Sequence, residues 1–300
     1  MKIFLTGATG YIGFNVALAY RRAGHEVWGL VRSDEKARTM ARNEIHSVVG
    51  SMQQPERYLS IAEECSVLIH TAADYQADVG ALDKRTIETF IAVAKKGTQP
   101  KTIIYTSGCW VNGNTGSKPV DETAPLKPAK LVMWRPASEQ IVLNTAGIKG
   151  VVIRPGCVYG KQGGLTGMWF KGAFKDKALK VIGNGDNHWA MVHVDDLAEA
   201  YLRAGECSLS GEVFNVSDHS SASVREIVEA VAEAVGYTDD IEFIPVAEAA
   251  RTMGDLAECL ALDQQVDARK AVRLLEWQPR HSGFVSEVGT YLASWKATQT

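Results

Sequence analysis

Three glycines at a fixed spacing are the first residues with the means to do chemistry. Thr6-Gly7-Ala8-Thr9-Gly10-Tyr11-Ile12-Gly13 lies between a short apolar run, Lys2 to Thr6, and a stretch whose Val16, Leu18, Ala19 and Tyr20 fit a helix that Gly24 ends. The start of a helix presents unpaired amide N–H groups and the positive end of a dipole, so this setting can seat a diphosphate. Gly7 permits the tight turn, Gly10 lets the backbone approach the phosphates, and Gly13 lets helix pack on strand. A glycine trio alone is an ordinary turn; the strand before it and the helix after it select the dinucleotide reading. A second cue is Arg32 in Gly29-Leu30-Val31-Arg32-Ser33. An acid here would take the ribose diol of NAD, whereas a guanidinium meets a 2′-phosphate, which predicts NADP(H). The bland alternative is a solvated surface arginine.

These residues need elements to hold them. Runs at Glu26 to Val31, Ser47 to Val49, Val67 to His70, Thr102 to Tyr105 and Gly150 to Ile153 alternate with amphipathic stretches. That alternation predicts an α/β chain: a Rossmann doubly wound parallel sheet with a smaller C-terminal substrate lobe. After Gly160 the pattern loosens into Lys161-Gln162-Gly163-Gly164-Leu165, then Trp169, Phe170 and Phe174, then Gly183-Asn184-Gly185-Asp186-Asn187, read as loops facing a substrate. A strand at Val213 to Val216 and a helix opened by Ser223, with Glu226 placed for a capping box, follow. Leu274-Leu275-Glu276-Trp277-Gln278-Pro279 precedes a last helix. The expected division is residues 1–160 and 190–218 for the dinucleotide-binding domain, with 161–189 and 219–300 for the substrate lobe.

The 300 residues are 46% hydrophobic and 22% charged with a net charge of −3 and no basic block, which argues against nucleic acid as a partner. The opening apolar run is too brief for a signal core or a membrane span, so no membrane partner and a cytoplasmic location are expected. Cys65, Cys109, Cys157, Cys207 and Cys259 are far apart, with no Cys-x-x-Cys and no histidine cluster at ligand spacing. Reduced thiols and no metal are expected.

Along nearly its whole length the chain resembles the extended short-chain dehydrogenase/reductases, which include NAD-dependent epimerases and dehydratases. Besides the glycine loop, the resemblance rests on Val67-Leu68-Ile69-His70-Thr71-Ala72-Ala73, Ile104-Tyr105-Thr106-Ser107-Gly108, Ile153-Arg154-Pro155-Gly156-Cys157-Val158-Tyr159-Gly160, Val192-His193-Val194-Asp195-Asp196-Leu197 and Gly211-Glu212-Val213-Phe214-Asn215-Val216. It implies cofactor contacts at Gly7, Thr9, Gly10, Tyr11, Ile12, Gly13, Arg32, Ser51, Met52, Thr71, Ala72, Ala73, Arg135, Pro155, Cys157 and Val158. A homodimer paired through the helices of the catalytic region is the family's habit.

The family's catalytic set is a Ser or Thr after the fifth strand and a Tyr followed four residues later by Lys. The Tyr moves the proton that accompanies hydride transfer, and the Lys holds the ribose and lowers the Tyr pKa. Glu139-Gln140-Ile141-Val142 resembles the stretch after that pair, which places Arg135 at the Lys position and Leu131 at the Tyr position; Val111-Asn112-Gly113 places Gly108 at the hydroxyl position, beside Ser107. No Tyr in the chain has Lys four residues on. Arg135 can bridge ribose hydroxyls but does not titrate near neutrality. The remaining catalytic candidates are Ser107, Arg135 and Tyr75, the last following Asp74 after the fourth strand. The plain alternatives are that Asp74 caps the next helix and Tyr75 packs. Trp110, Trp134, Trp169 and Trp189 either wall a site for a flat ligand or fill the interface between lobes. His188 can meet a ligand, His193 reads as structural, Asp195 or Asp196 as a helix cap, and Cys109 lacks a base in sequence. Three functions follow: an NADP(H) oxidoreductase or epimerase with a non-standard proton donor, a non-catalytic NADP(H) sensor, or a lyase or isomerase with structural NADP.

Overall fold

The computed structural model describes residues 1–116, 118–161 and 163–299. Gln162, within the expected Lys161–Leu165 loop, lies outside the described residues. The first half alternates as its hydrophobic periodicity requires: β1 (Lys2–Thr6), α1 (Tyr11–Arg22), β2 (Glu26–Val31), α2 (Asp34–Ala41), β3 (His46–Val49), α3 (Leu59–Glu64), β4 (Val67–His70), α4 (Val79–Lys96), β5 (Thr102–Thr106), α5 (Arg135–Asn144) and β6 (Lys149–Pro155). Then come β7 (Cys157–Tyr159), α6 (Gly167–Lys171), β8 (Lys180–Ile182), β9 (Met191–His193), α7 (Val194–Glu206), β10 (Glu212–Val216), α8 (Val224–Val235) and β11 (Glu242–Ile244). Four further helices, α9 (Val246–Met253), α10 (Leu256–Leu260), α11 (Arg269–Leu274) and α12 (Val288–Ala297), follow.

Seven strands form one parallel sheet in the order β10-β6-β5-β4-β1-β2-β3. The chain winds outward in opposite directions from β1, so a crevice opens where β1 and β4 part at their C-terminal ends. Ile3, Phe4 and Leu5 of β1 are wholly buried, as a strand covered on both faces must be. One face is packed by Val16, Ala17 and Tyr20 of α1 with Leu197, Ala200 and Tyr201 of α7, the other by Ile87 and Phe90 of α4 with Val142 of α5. A separate core gathers Trp169, Phe170, Trp189, Val228, Tyr291 and Trp295. At the β10 edge the Asn215 N–H donates to Glu122 Oε1 at 2.7 Å. Among the described residues no helix is long and apolar enough to cross a membrane.

The capping box of α8 forms as its sequence predicts: Ser223 Oγ accepts the Glu226 N–H at 3.2 Å, and Glu226 Oε2 accepts the Ser223 N–H at 2.7 Å. Two other caps are displaced. Neither Asp195 nor Asp196 caps α7; the chain leaves β9 still extended at His193, whose Nδ1 accepts the Asp195 N–H, and both acids fall inside the first turn. Asp74 does not cap α4, because the loop runs on to Asp78, which accepts the Ala81 N–H; Asp74 instead accepts the Gln76 N–H within the loop. Trp169 and Trp189 do not wall a ligand site. Their rings stack at 5.2 Å inside the second core, where 2% and 6% of their surfaces remain exposed.

Candidate functional site

A cavity of about 400 Å³ occupies the crevice. Gly7, Thr9, Gly10, Tyr11, Ile12, Gly13, Arg32, Ser51, Met52, Thr71, Ala72 and Ala73 line it. Asp74, weighed from the sequence as a cleft residue, lines it too, and so do Leu30, Gly50, Gln53 and Leu82, which sequence reading missed. Gly50 and Gln53 adjoin the expected contacts Ser51 and Met52, and Leu30 lies two residues before Arg32, which was the available signal. Backbone geometry makes the wall. Gly7 sits at φ +76°, and a Cβ at Gly13 would lie 2.2 Å from the Gly7 carbonyl oxygen and 2.5 Å from Thr71 Oγ1. Only a residue without Cβ lets α1 close onto β1 and β4 there. Thr71 Oγ1 donates to the Thr6 carbonyl at 2.7 Å, fixing the β4 end against the loop. Arg32 stands exposed at the rim.

Tyr75, Ser107, Arg135, Pro155, Cys157 and Val158 are not part of that lining. Pro155 ends β6 and Cys157 opens β7, which pairs with β9. Tyr11 links the two groups: its hydroxyl donates to the Gly160 carbonyl at 2.6 Å, and Lys161 Nζ donates to Asn15 Oδ1 on α1 at 2.6 Å and pairs with Asp195.

The second half of the site is built from side chains. Arg135 opens α5 with Pro136 in its first turn, where proline's missing N–H costs nothing. Leu131 is not on that helix but in a 3-10 turn, Lys130–Val132, so the one-turn pairing of positions 131 and 135 on a shared helical face is absent. Arg135 Nη1 donates to the carbonyls of Thr106 and of Ser107, the latter at 3.1 Å, and its guanidinium lies 5.3 Å from the centre of the Trp134 ring. Trp134 meets Tyr75 edge-on at 6.4 Å, and the Tyr75 hydroxyl faces Arg135. Burial opposes the charge of Arg135, but Tyr105, Asp83 and Tyr75 outweigh it and hold the group cationic. The Ser107 Oγ and Trp134 Nε1 are buried without a protein partner.

Behind Arg135 lies Asp83 of α4, 5% exposed, which sequence reading missed because no local pattern marks one acid among the polar residues of a helix. Its Oδ2 accepts from Tyr105 at 2.9 Å and from Ser138 at 2.7 Å, and its Oδ1 stands 3.2 Å from His70 Nε2. His70 Nδ1 in turn meets Thr6 Oγ1 at 2.7 Å. Burial raises the Asp83 pKa, yet His70, Ser138 and Arg135 together bring it below the ordinary carboxylate value. One turn along α5, Glu139 takes Arg154 bidentately, at 2.9 Å from Nε and 2.5 Å from Nη2, in a wholly buried pair.

Other candidates have partners of their own. His188 Nδ1 is 2.9 Å from Asp263 Oδ1. Cys109 is buried with its Sγ donating to the Arg154 carbonyl, and burial pushes the thiol up to about 12, out of reach as a thiolate nucleophile. All five cysteines are free. The fold brings His193, Asp195 and His281 close enough to share a cation, a grouping that linear spacing could not reveal. Lys161 already supplies the positive charge at Asp195, His193 Nδ1 is taken by the Asp195 N–H and His281 Nδ1 by Asp196 Oδ2, and the two imidazoles stack at 3.5 Å with 20° between planes.

A model of the NAD dependent epimerase/dehydratase family matches residues 3–217. The chain is 28% identical over 291 residues to a 4-hydroxy-2-methyl-3-oxo-4-farnesyl-3,4-dihydroquinoline-1-oxide ketoreductase of Stigmatella aurantiaca, covering 92% of this chain and 86% of that one. It is 26% identical over 310 residues to a UDP-glucose 4-epimerase of Mycolicibacterium smegmatis, covering 93% and 94%. Its fold matches a crystal structure of dTDP-glucose 4,6-dehydratase from Bacillus anthracis in complex with NAD at a TM-score of 0.84 and 20% identity, over 100% of this chain and 97% of that one.

Proposed function

Because the chain belongs to the NAD dependent epimerase/dehydratase family, we propose that it is an NADP(H)-dependent oxidoreductase of the short-chain dehydrogenase/reductase type with an atypical active site, acting on a small carbonyl or hydroxyl compound with an aromatic portion. One observation carries this reading: a cavity whose diphosphate end is shaped by glycine backbone and whose rim carries Arg32 instead of an acid. The fit is steric as well as chemical, since a Cβ at Gly7 or Gly13 would collide with its surroundings. Residues 1–160 and 190–218 hold the dinucleotide, and 161–189 with 219–300 hold the substrate. The cytoplasm is the location, and a homodimer through α4 and α5 is the assembly.

Bound NADPH supplies the hydride. The chain does the rest. Amide groups at the start of α1 would hold the diphosphate, Arg32 would pair with the 2′-phosphate, and Arg135 would offer the ribose its guanidinium. The Ser107 hydroxyl, buried and unpartnered, donates to the substrate oxygen, and Tyr75 beside Arg135 gives that oxygen its proton. The aromatic pair Tyr75 and Trp134 favours a flat compound, and the Stigmatella relative is named as a ketoreductase of a quinoline.

A second reading, a non-catalytic NADP(H) sensor, draws on Arg135 being hydrogen-bonded to backbone carbonyls and on the missing Tyr and Lys. The absorbance of NADPH, followed while aldehydes, ketones, enones, quinones and UDP-glucose are added, separates the two. Oxidation proportional to protein, with about a tenfold preference for NADPH over NADH that Arg32→Ala abolishes, supports the oxidoreductase. Tight NADPH binding without turnover moves the reading to the sensor, and product formed without net redox change moves it to an epimerase, lyase or isomerase. Binding of neither dinucleotide ends all three.

A further inference from the structure

We propose that Tyr11 is a positioning residue: its hydroxyl bond to the Gly160 carbonyl makes the first turn of α1 and the end of β7 one wall, so that a diphosphate seated on α1 sets the position of Cys157 and Val158. The inference rests on the reading that the crevice takes NADP(H) with its nicotinamide beside Cys157 and Val158. Tyr11 is the first residue of α1 and lines the cavity. Its backbone therefore belongs to the helix start that would hold the diphosphate, while its side chain reaches 149 positions along the chain to Gly160.

Both ends of this bond are fixed. A Cβ at Gly164 would lie 2.9 Å from Tyr11 Cε1 and 2.1 Å from the Val158 carbonyl oxygen, so the phenol ring and β7 close on that glycine from two sides. Gly160 stands at φ +98°, and a Cβ there would lie 2.2 Å from His193 Nε2. His193 ends β9 opposite Tyr159 of β7, and its Nδ1 accepts the Asp195 N–H at 3.1 Å. The Gly160 carbonyl also accepts the Gly163 N–H at 2.9 Å, which turns the chain there. Burial pushes the Tyr11 phenol above its ordinary pKa, so the hydroxyl stays protonated and donates. A second tie crosses the same seam: Lys161 Nζ donates to Asn15 Oδ1 at 2.6 Å and pairs with Asp195, and Asn15 Nδ2 donates to the Tyr11 carbonyl at 2.8 Å. That tie differs in kind. Asn15 lies one turn further along α1, outside the cavity lining, and 36% of the Lys161 side chain is exposed. A shift of the first turn of α1 thus acts on β7 through Tyr11, which touches both.

Amide hydrogen exchange of full-length wild type, Tyr11→Phe and Lys161→Met tests the assignment. The probes, each at saturation, are NADPH and 2′-phospho-ADP-ribose, a fragment that carries the diphosphate and the 2′-phosphate but no nicotinamide. In wild type both are expected to slow exchange in residues 157–161 as well as 7–13, by about fivefold for a constraint worth one hydrogen bond. Tyr11→Phe keeps the ring and removes only the hydroxyl; the fragment should then protect 7–13 and leave 157–161 unprotected. Lys161→Met keeps the hydroxyl bond, and the fragment's effect on 157–161 should persist. Bound NADPH gives a second readout: its nicotinamide emission should fall in Tyr11→Phe, because the wall beside the ring is no longer held. The role is overturned if the fragment leaves 157–161 unprotected in wild type, protects them equally in Tyr11→Phe, or loses that effect in Lys161→Met. Unchanged emission, or a Tyr11→Phe protein that no longer binds the fragment, overturns it as well. A Tyr11→Phe chain that does not fold does the same, since the hydroxyl then holds the fold and not the site. Wild type that binds neither compound defeats the functional reading instead. The tie is then decided in the empty protein, where Tyr11→Phe speeding exchange at 157–161 about fivefold supports it and equal exchange sinks it.

Discussion

The two ends of the site are made of different materials. At the diphosphate end the working parts are backbone: amides at the mouth of α1, and glycines whose missing Cβ atoms let β1, α1 and β4 converge. At the Arg135 end they are side chains from β4, α4, β5 and α5, buried together with their charges. A backbone site is tuned by shape and tolerates changes of side chain outside its few tight positions. A side-chain site depends on every partner at once, since removing one leaves another unsatisfied in a medium of low polarity.

That contrast can be broken. The largest expected effect is at the side-chain end: Glu139→Gln leaves the Arg154 guanidinium buried without its counter-ion and should cost about 3–5 kcal/mol of stability. Denaturant titration measures it, and a cost below about 1 kcal/mol would show that this end is no more fragile than an ordinary surface. Next is Gly13→Ala, whose added Cβ meets the Gly7 carbonyl oxygen at 2.2 Å. A loss of about 1–3 kcal/mol is expected together with lost dinucleotide binding, which thermal shift with and without NADPH separates. Unchanged binding would mean that the loop shape is not what holds the diphosphate.

The smallest effect sharpens the comparison through pH. Burial, and secondarily the neighbouring His281, lowers the His193 pKa to about 4 from 6.5. As pH falls below 6.5 the unfolded chain takes up a proton that the folded chain refuses, so this contribution is full above 6.5 and is lost as pH drops through about 4. The difference in unfolding free energy between wild type and His193→Asn should therefore fall by roughly 1–3 kcal/mol over that window. A difference that stays flat with pH would show that His193 is not held neutral by its surroundings.

How far the sequence could be read follows the same division. The parallel sheet, the glycine loop and most of the cavity lining were legible because each depends on residues adjacent in the chain: a strand, a turn, a helix start. The strand at Ser47 to Val49 begins one residue earlier and the run at Thr102 to Tyr105 ends one later, differences that hydrogen bonding to neighbours decides and side-chain periodicity does not. The Asp83 network was not legible. Thr6, His70, Asp83, Tyr105 and Ser138 are scattered over five segments, and nothing local distinguishes Asp83 from a solvated helix acid. The tryptophans stayed ambiguous for a related reason. Trp169 and Trp189 sit in Gly- and Asn-rich surroundings that suggested loops, yet long-range packing stacks them in a core.

The last strand of the sheet, β10, has a neighbour on one side only, and such a border is a template on which another chain can lay down a further strand. The carboxylate of Glu122, arriving from a distant loop, occupies the outward N–H of Asn215, while the Asn215 amide reaches across to Val120 and Asp267. A partly desolvated acid thus occupies an N–H that an added strand would need, so docking there would first have to displace Glu122.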